Sequence, residues 1–117
     1  MLPDKRFALM KSTEDNLKKL KNYTGIAPIT SSRIAFFRSI ETEFRYNKDQ
    51  NIILDGSLSF DKYTWLGETR TVVELVLKMY YPDFDSEQYP KAWAAHVEDG
   101  IAAIRNCKGL SQFSIEL

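Results

Sequence analysis

Arg6-Phe7-Ala8-Leu9-Met10-Lys11 alternates its side chains between two faces, and Ser12-Thr13-Glu14-Asp15 follows it at once with residue types that start helices. A strand this short leaves a row of N–H and C=O groups that needs a partner edge, and the simplest partner is the same strand of a second copy. Ser12 reads as an N-cap with Asp15 three positions on, a variant of the capping box. Leu17, Leu20 and Tyr23 then lay an apolar stripe along the helix, and Gly25 closes it. Pro28 stiffens the connection, and Thr30 or Ser31 caps a second helix. Its stripe is Ile34, Phe37, Ile40 and Phe44, with Phe36 at the edge.

Strand, helix, glycine turn and helix, from Phe7 to Ile40, is the order of a ribbon-helix-helix frame. Beyond it, Asn47 to Gln50 is a polar break, and Ile52-Ile53-Leu54 and Leu58-Ser59-Phe60 flank Asp55-Gly56-Ser57 as a short β-hairpin. Spacing predicts a helix over 64–80, with Val72, Leu75, Val76 and Met79 facing inward and Pro82 beyond its end. Asp85 or Ser86 caps a last helix with Pro90 in its first turn, an inner face of Trp93, Val97, Gly100 and Ile104, and Gly109 at its end. The class is therefore mainly α, with a ribbon-helix-helix-like N-terminal half, a short hairpin and two further C-terminal helices. With 117 residues, 44% of them hydrophobic, the chain is expected to be one domain with a modest core. Residues 1–46 make its basic half, and 47–117 the hairpin and the acidic helical half.

The net charge is zero, yet residues 1–50 hold ten Lys or Arg against six acids, a balance of +4 that the remainder cancels. A basic side with an acidic back suits a phosphate-facing surface, and it equally suits an ordinary solvated helix face. No apolar run has the length of a signal peptide or a membrane span, so a cytoplasmic protein without membrane contact is expected. The one cysteine, Cys107, leaves no intrachain disulfide and no multi-thiolate metal site. His96-Val97-Glu98 matches half of a zinc-deaminase signature without the cysteines that complete it. Cys107 would lie roughly 16 Å from His96 along one helix, too far for a nucleophile pair. His96 is best read as a packing or interface histidine. Gly56 and Gly67 stand alone, with no phosphate loop around them. These patterns point to binding without catalysis, metal or cofactor.

On a helical wheel centred on Leu17 and Leu20, Lys18 and Lys19 face outward and Lys21 lies on the flank. Arg6 and Lys11, at the two ends of the strand, extend the set of candidate DNA contacts. Neither strand face, Arg6/Ala8/Met10 or Phe7/Leu9/Lys11, offers the Asn, Gln or paired Arg that read bases bidentately. Contact with the DNA backbone or its shape is therefore favoured over recognition of one operator.

Several blocks in order also resemble the DndE family of DNA sulfur modification proteins. They are Leu9-Met10-Lys11-Ser12, Leu17-Lys18-Lys19-Leu20-Lys21, Thr24-Gly25-Ile26, Ser32-Arg33-Ile34-Ala35, Leu54-Asp55-Gly56-Ser57, Thr64-Trp65-Leu66-Gly67-Glu68 and Lys91-Ala92-Trp93-Ala94-Ala95-His96-Val97-Glu98. The resemblance implies a small non-enzymatic component of bacterial DNA phosphorothioation that binds duplex DNA, prefers nicked duplex and assembles as a tetramer. It implies work beside a cysteine desulfurase, an iron–sulfur ATP-pyrophosphatase-like protein and an ATPase of the structural-maintenance type. The family's lysine contact to DNA falls on Lys18, Lys19 and Lys21. A ribbon-helix-helix regulator of transcription is the competing expectation.

Overall fold

The computed structural model describes residues 2–104; the expectations for Cys107 and Gly109 lie outside them. In order come β1 (Phe7–Ala8), α1 (Lys11–Thr24), α2 (Pro28–Ile40), β2 (Ser59–Phe60), α3 (Lys62–Leu66), a single 3-10 turn (Gly67–Thr69), α4 (Arg70–Tyr80) and α5 (Gln88–Ile104). The mainly helical class and the strand–helix–helix order hold. The strand's partner differs: β1 pairs antiparallel with β2 of its own chain, Phe7 opposite Phe60 and Ala8 opposite Ser59. The expected hairpin is thereby split, because its second arm goes to β1 and Ile52-Ile53-Leu54 has no ladder.

The core forms where α5 passes between the other elements. Trp65 and Trp93 are fully buried with ring centroids 5.1 Å apart, and Phe7 meets Trp93 edge-on at 5.3 Å. Trp65 Nε1–H donates to the Phe7 carbonyl at 2.7 Å, so the indole that fills the core also satisfies the strand. Helix α2 buries Ser31, Ser32, Ala35, Phe36 and Ser39, a face of small residues around one ring. That corrects the expected stripe: Phe36 is central, whereas Ile34, Phe37 and Ile40 are half-buried. Small residues win because α5 comes so close that a Cβ on Gly100 would sit 1.8 Å from the Ala35 carbonyl oxygen.

A tertiary contact sets the start of α1, whereas local sequence starts α2 and α5. Helix α1 begins at Lys11, two residues before a Ser12 cap would start it, and neither Ser12 nor Asp15 caps it. Its cap comes from Asp55, 44 residues on, whose Oδ1 accepts the Lys11 N–H at 2.9 Å. Helix α2 begins at Pro28 itself, where a missing N–H costs nothing, instead of behind a Thr30 or Ser31 cap. Gly25 ends α1 as expected, in the left-handed conformation (φ 75°), its N–H on the Lys21 carbonyl. Asp85 caps α5 through the Glu87 and Gln88 N–H groups at 2.9 and 3.0 Å, and Trp93, Val97, Gly100 and Ile104 are all buried.

The helix expected over 64–80 is broken at Gly67 (φ 53°), and its second part is turned over. Helix α4 buries Val73, Glu74 and Leu77, leaving Val72, Leu75 and Met79 exposed. Glu74 tolerates burial because Arg70 Nη1 (2.8 Å), the Leu2 N–H (3.3 Å) and Lys62 (3.9 Å) surround its carboxylate. Tyr23, expected in the α1 stripe, is also exposed.

Candidate nucleic-acid interface

Helix α1 buries Thr13, Glu14, Leu17 and Leu20, which turns Lys11, Lys18 and Lys19 to the outside with Lys21 at the margin. From Lys11 to Lys18 the rise is about 10 Å, two turns of helix, so these two stack as a ridge along the axis, with Lys19 about 100° round on one flank and Lys21 about 60° round on the other. They are not equivalent. Lys18 Nζ lies 3.1 Å from Glu14 Oε2 and is half exposed, so part of its charge is already committed. Lys19, Lys21 and the Lys11 ammonium have no ion pair or hydrogen bond among the described residues. Arg6 belongs to another surface. Its guanidinium donates through Nε (3.0 Å) and Nη2 to the Ser59 carbonyl, beside a groove that no α1 residue lines.

Glu14 was not expected to matter, and it anchors the ridge. Its Oε1 accepts the Leu58 N–H at 2.7 Å; its Oε2 accepts the Ser57 hydroxyl at 2.7 Å as well as Lys18. Burial pushes this carboxyl's pKa up, but the bonds from Ser57, Leu58 and Lys18 outweigh it and hold it at about 2. Gly56 permits the approach: its N–H donates to the Leu9 carbonyl at 2.8 Å, and a Cβ there would meet that oxygen at 2.7 Å and Glu14 Oε1 at 2.8 Å. Leu54-Asp55-Gly56-Ser57 is thus the clamp that fixes the start of α1. The signal in the sequence was the four-residue spacing of Glu14 and Lys18.

The other blocks singled out in the sequence are scaffolding too. Arg33 donates to the Trp65 carbonyl (Nε, 2.8 Å) and the Thr64 carbonyl (Nη2, 3.0 Å), closing α3 from α2. His96 is fully buried. Ser39 spends its hydroxyl proton on Asp99 Oδ2 at 2.7 Å, so His96 Nδ1–H donates to Ser39 Oγ at 2.9 Å. Tyr81 O–H then donates to Nε2 at 2.7 Å and accepts the Tyr46 N–H at 2.7 Å. Every partner suits a neutral imidazole, and burial, with repulsion from Arg45, lowers its pKa to about 4. It is a packing histidine, as its place on α5 suggested. Among the described residues no three His, Cys, Asp or Glu side chains gather at metal-binding distance, and no helix is long and apolar enough to cross a membrane.

A family model described as DNA sulphur modification protein matches residues 6–112, nearly the whole length, and sets the class as a protein serving DNA modification. The chain belongs to the DndE family. It is similar to the crystal structure of DndE from Escherichia coli B7A involved in DNA phosphorothioation modification: 61% identity over 87% of this chain and 97% of that one, with a TM-score of 0.81. A DndE mutant with two glycine-to-lysine changes, also described as involved in DNA phosphorothioation, is 59% identical over 88% of this chain and 98% of that one, with a TM-score of 0.82. Among curated protein sequences none matches.

Proposed function

We propose that this chain is the DNA-binding, non-catalytic component of a phosphorothioate modification machinery in the cytoplasm, holding duplex DNA by its phosphates with a preference for nicked duplex. The observation that carries the reading is the ridge of α1 with its two flanks, where Lys19, Lys21 and the Lys11 ammonium have no partner among the described residues of a chain of zero net charge. Such a surface neutralises phosphates and releases counterions without reading bases. A nick interrupts stacking and lowers the cost of bending duplex against a short rigid helix, which supports the preference. The regulator reading loses its basis because Phe7 and Ala8 are each 7% exposed and paired within the chain, leaving no strand face for base edges.

The test is the salt dependence of affinity for intact and nicked duplex of one sequence. Lys19→Ala and Lys21→Ala should each lower the slope of log K against log salt by about 0.9, equally for unrelated sequences. Lys18→Ala should cost less because Glu14 already draws on that charge. If the Lys19/Lys21 double variant keeps the wild-type slope, the ridge is only a solvated face.

Assembly as a homotetramer within a larger modification complex belongs to the same proposal. The support is the apolar strip Val72, Leu75 and Met79 on α4, 50%, 57% and 66% exposed. Light scattering should find a tetramer at micromolar concentration, with Leu75→Glu shifting it toward smaller species; a wild-type monomer would remove this part of the reading.

A further inference from the structure

Ile52-Ile53-Leu54 has the sequence of a strand, and the structure keeps the alternation of a strand without its partner. Ile52 is buried and Leu54 half-buried against the core, while Asn51, Ile53 and Asp55 are exposed, Ile53 at 63%. Period-two burial is the mark of extended chain with one side on a core. No N–H or C=O group from Asn51 to Leu54 makes a hydrogen bond among the described residues. Next to this segment runs an open groove of about 610 Å³, reached also by Arg6, Ala8, Pro90 and Lys91. Three cations, Lys5, Arg6 and Lys91, line it against one acid, Glu87, which Lys5 holds at 2.9 Å. Asp61, the other carboxylate that feels Arg6, is engaged by the Thr64 N–H at 2.8 Å.

We infer that the groove takes an extended, acidic segment of a partner protein by strand addition to Asn51–Leu54, with carboxylates reaching Arg6 and Lys91. This goes beyond DNA binding and stands apart from the α1 ridge. The chemistry of the edge selects the occupant. An extended backbone presents donors and acceptors alternately, so only another peptide strand answers both; a phosphodiester chain has acceptors alone and leaves the carbonyls unpaired. No exposed aromatic ring lines the groove to stack a base. At roughly 3.3 Å per residue the four-residue edge is about 13 Å long, enough for two alternate side chains to meet the two cations.

The probe is a blocked hexapeptide of alternating Glu and Val, titrated into the full-length protein and followed by 15N amide shifts. Saturable shifts should centre on Ile52, Ile53 and Leu54. Methylating alternate backbone nitrogens of the peptide should abolish them, and Lys91→Glu, an exposed change that leaves the fold intact, should weaken binding at least tenfold. The inference fails if the peptide leaves those amides unmoved at millimolar concentration, or if the N-methylated peptide binds as well. It fails too if Lys91→Glu lowers affinity for duplex DNA while peptide binding is unchanged, which would make the groove a nucleic-acid surface.

Discussion

Replacing Glu14 by Gln removes one charge and keeps the shape, and it separates the two jobs this carboxylate performs. The side chain is 1% exposed and receives Ser57 Oγ and Leu58 N–H at 2.7 Å and Lys18 Nζ at 3.1 Å. The fall of its pKa from 4.5 to about 2, at roughly 1.36 kcal/mol per pH unit, corresponds to about 3 kcal/mol as an upper bound. A glutamine offers one acceptor oxygen and turns an NH2 toward either Leu58 N–H or the Ser57 and Lys18 donors, so a donor faces a donor. Urea unfolding at pH 7 should show a loss of about 2–3 kcal/mol with an unchanged m-value. The sign with pH is fixed. A depressed carboxyl contributes its full stabilisation above 4.5 and loses it as pH falls toward 2, so the gap between wild type and variant should close over that window. Lys18, freed from its partner, should steepen the salt dependence of DNA binding even as the fold weakens. A variant within about 0.5 kcal/mol of wild type at pH 7, or a gap that does not change with pH, would refute the reasoning.

Gly100→Ala tests the closeness of α2 and α5 by its sign: helix propensity alone would stabilise by about 1 kcal/mol, whereas a Cβ 1.8 Å from the Ala35 oxygen should destabilise by 1–3 kcal/mol or more in the same urea assay. His96 is the sole histidine, so its Hε1 resonance is unambiguous and should titrate well below 5; a midpoint near 6.5 would contradict the neutral Ser39–His96–Tyr81 chain. Because its folded pKa lies below the ordinary 6.5, at about 4, stability should fall by up to about 3 kcal/mol as pH drops through that window. Thermal melts at pH 7, 5.5 and 4.5 read it directly.

Elements governed by neighbours in sequence could be read before the structure, and those governed by distant neighbours could not. Gly25 ended α1 and Asp85 began α5 because a glycine in left-handed geometry and an aspartate accepting local N–H groups act within one turn. The start of α1 escaped because Asp55, far along the chain, accepts the Lys11 N–H and starts the helix ahead of Ser12. Helix α4 was read inside out for a physical reason: Val72, Leu75, Val76 and Met79 are the more apolar stripe, and Val73 with Leu77 became the buried one only because Arg70, Lys62 and the Leu2 N–H neutralise Glu74 between them. At the candidate site the cations on α1 were legible from the wheel around Leu17 and Leu20. Their ranking was not, since the loop bonds that fix Glu14, and through it Lys18, come from Ser57 and Leu58.

The clamp on α1 and the placement of Trp93 also impose a timetable on synthesis. A nascent chain that has emerged only to Tyr46 carries both helices of its basic half but neither Asp55 to start the first nor α5 to cover the second. At translation speeds of about 5–20 residues per second, the roughly fifty residues to Gly100 need some 3–10 seconds. Through that interval Leu17, Leu20 and Phe36 lack the surfaces that bury them, and the growing polypeptide is at its most dependent on chaperones and dilution.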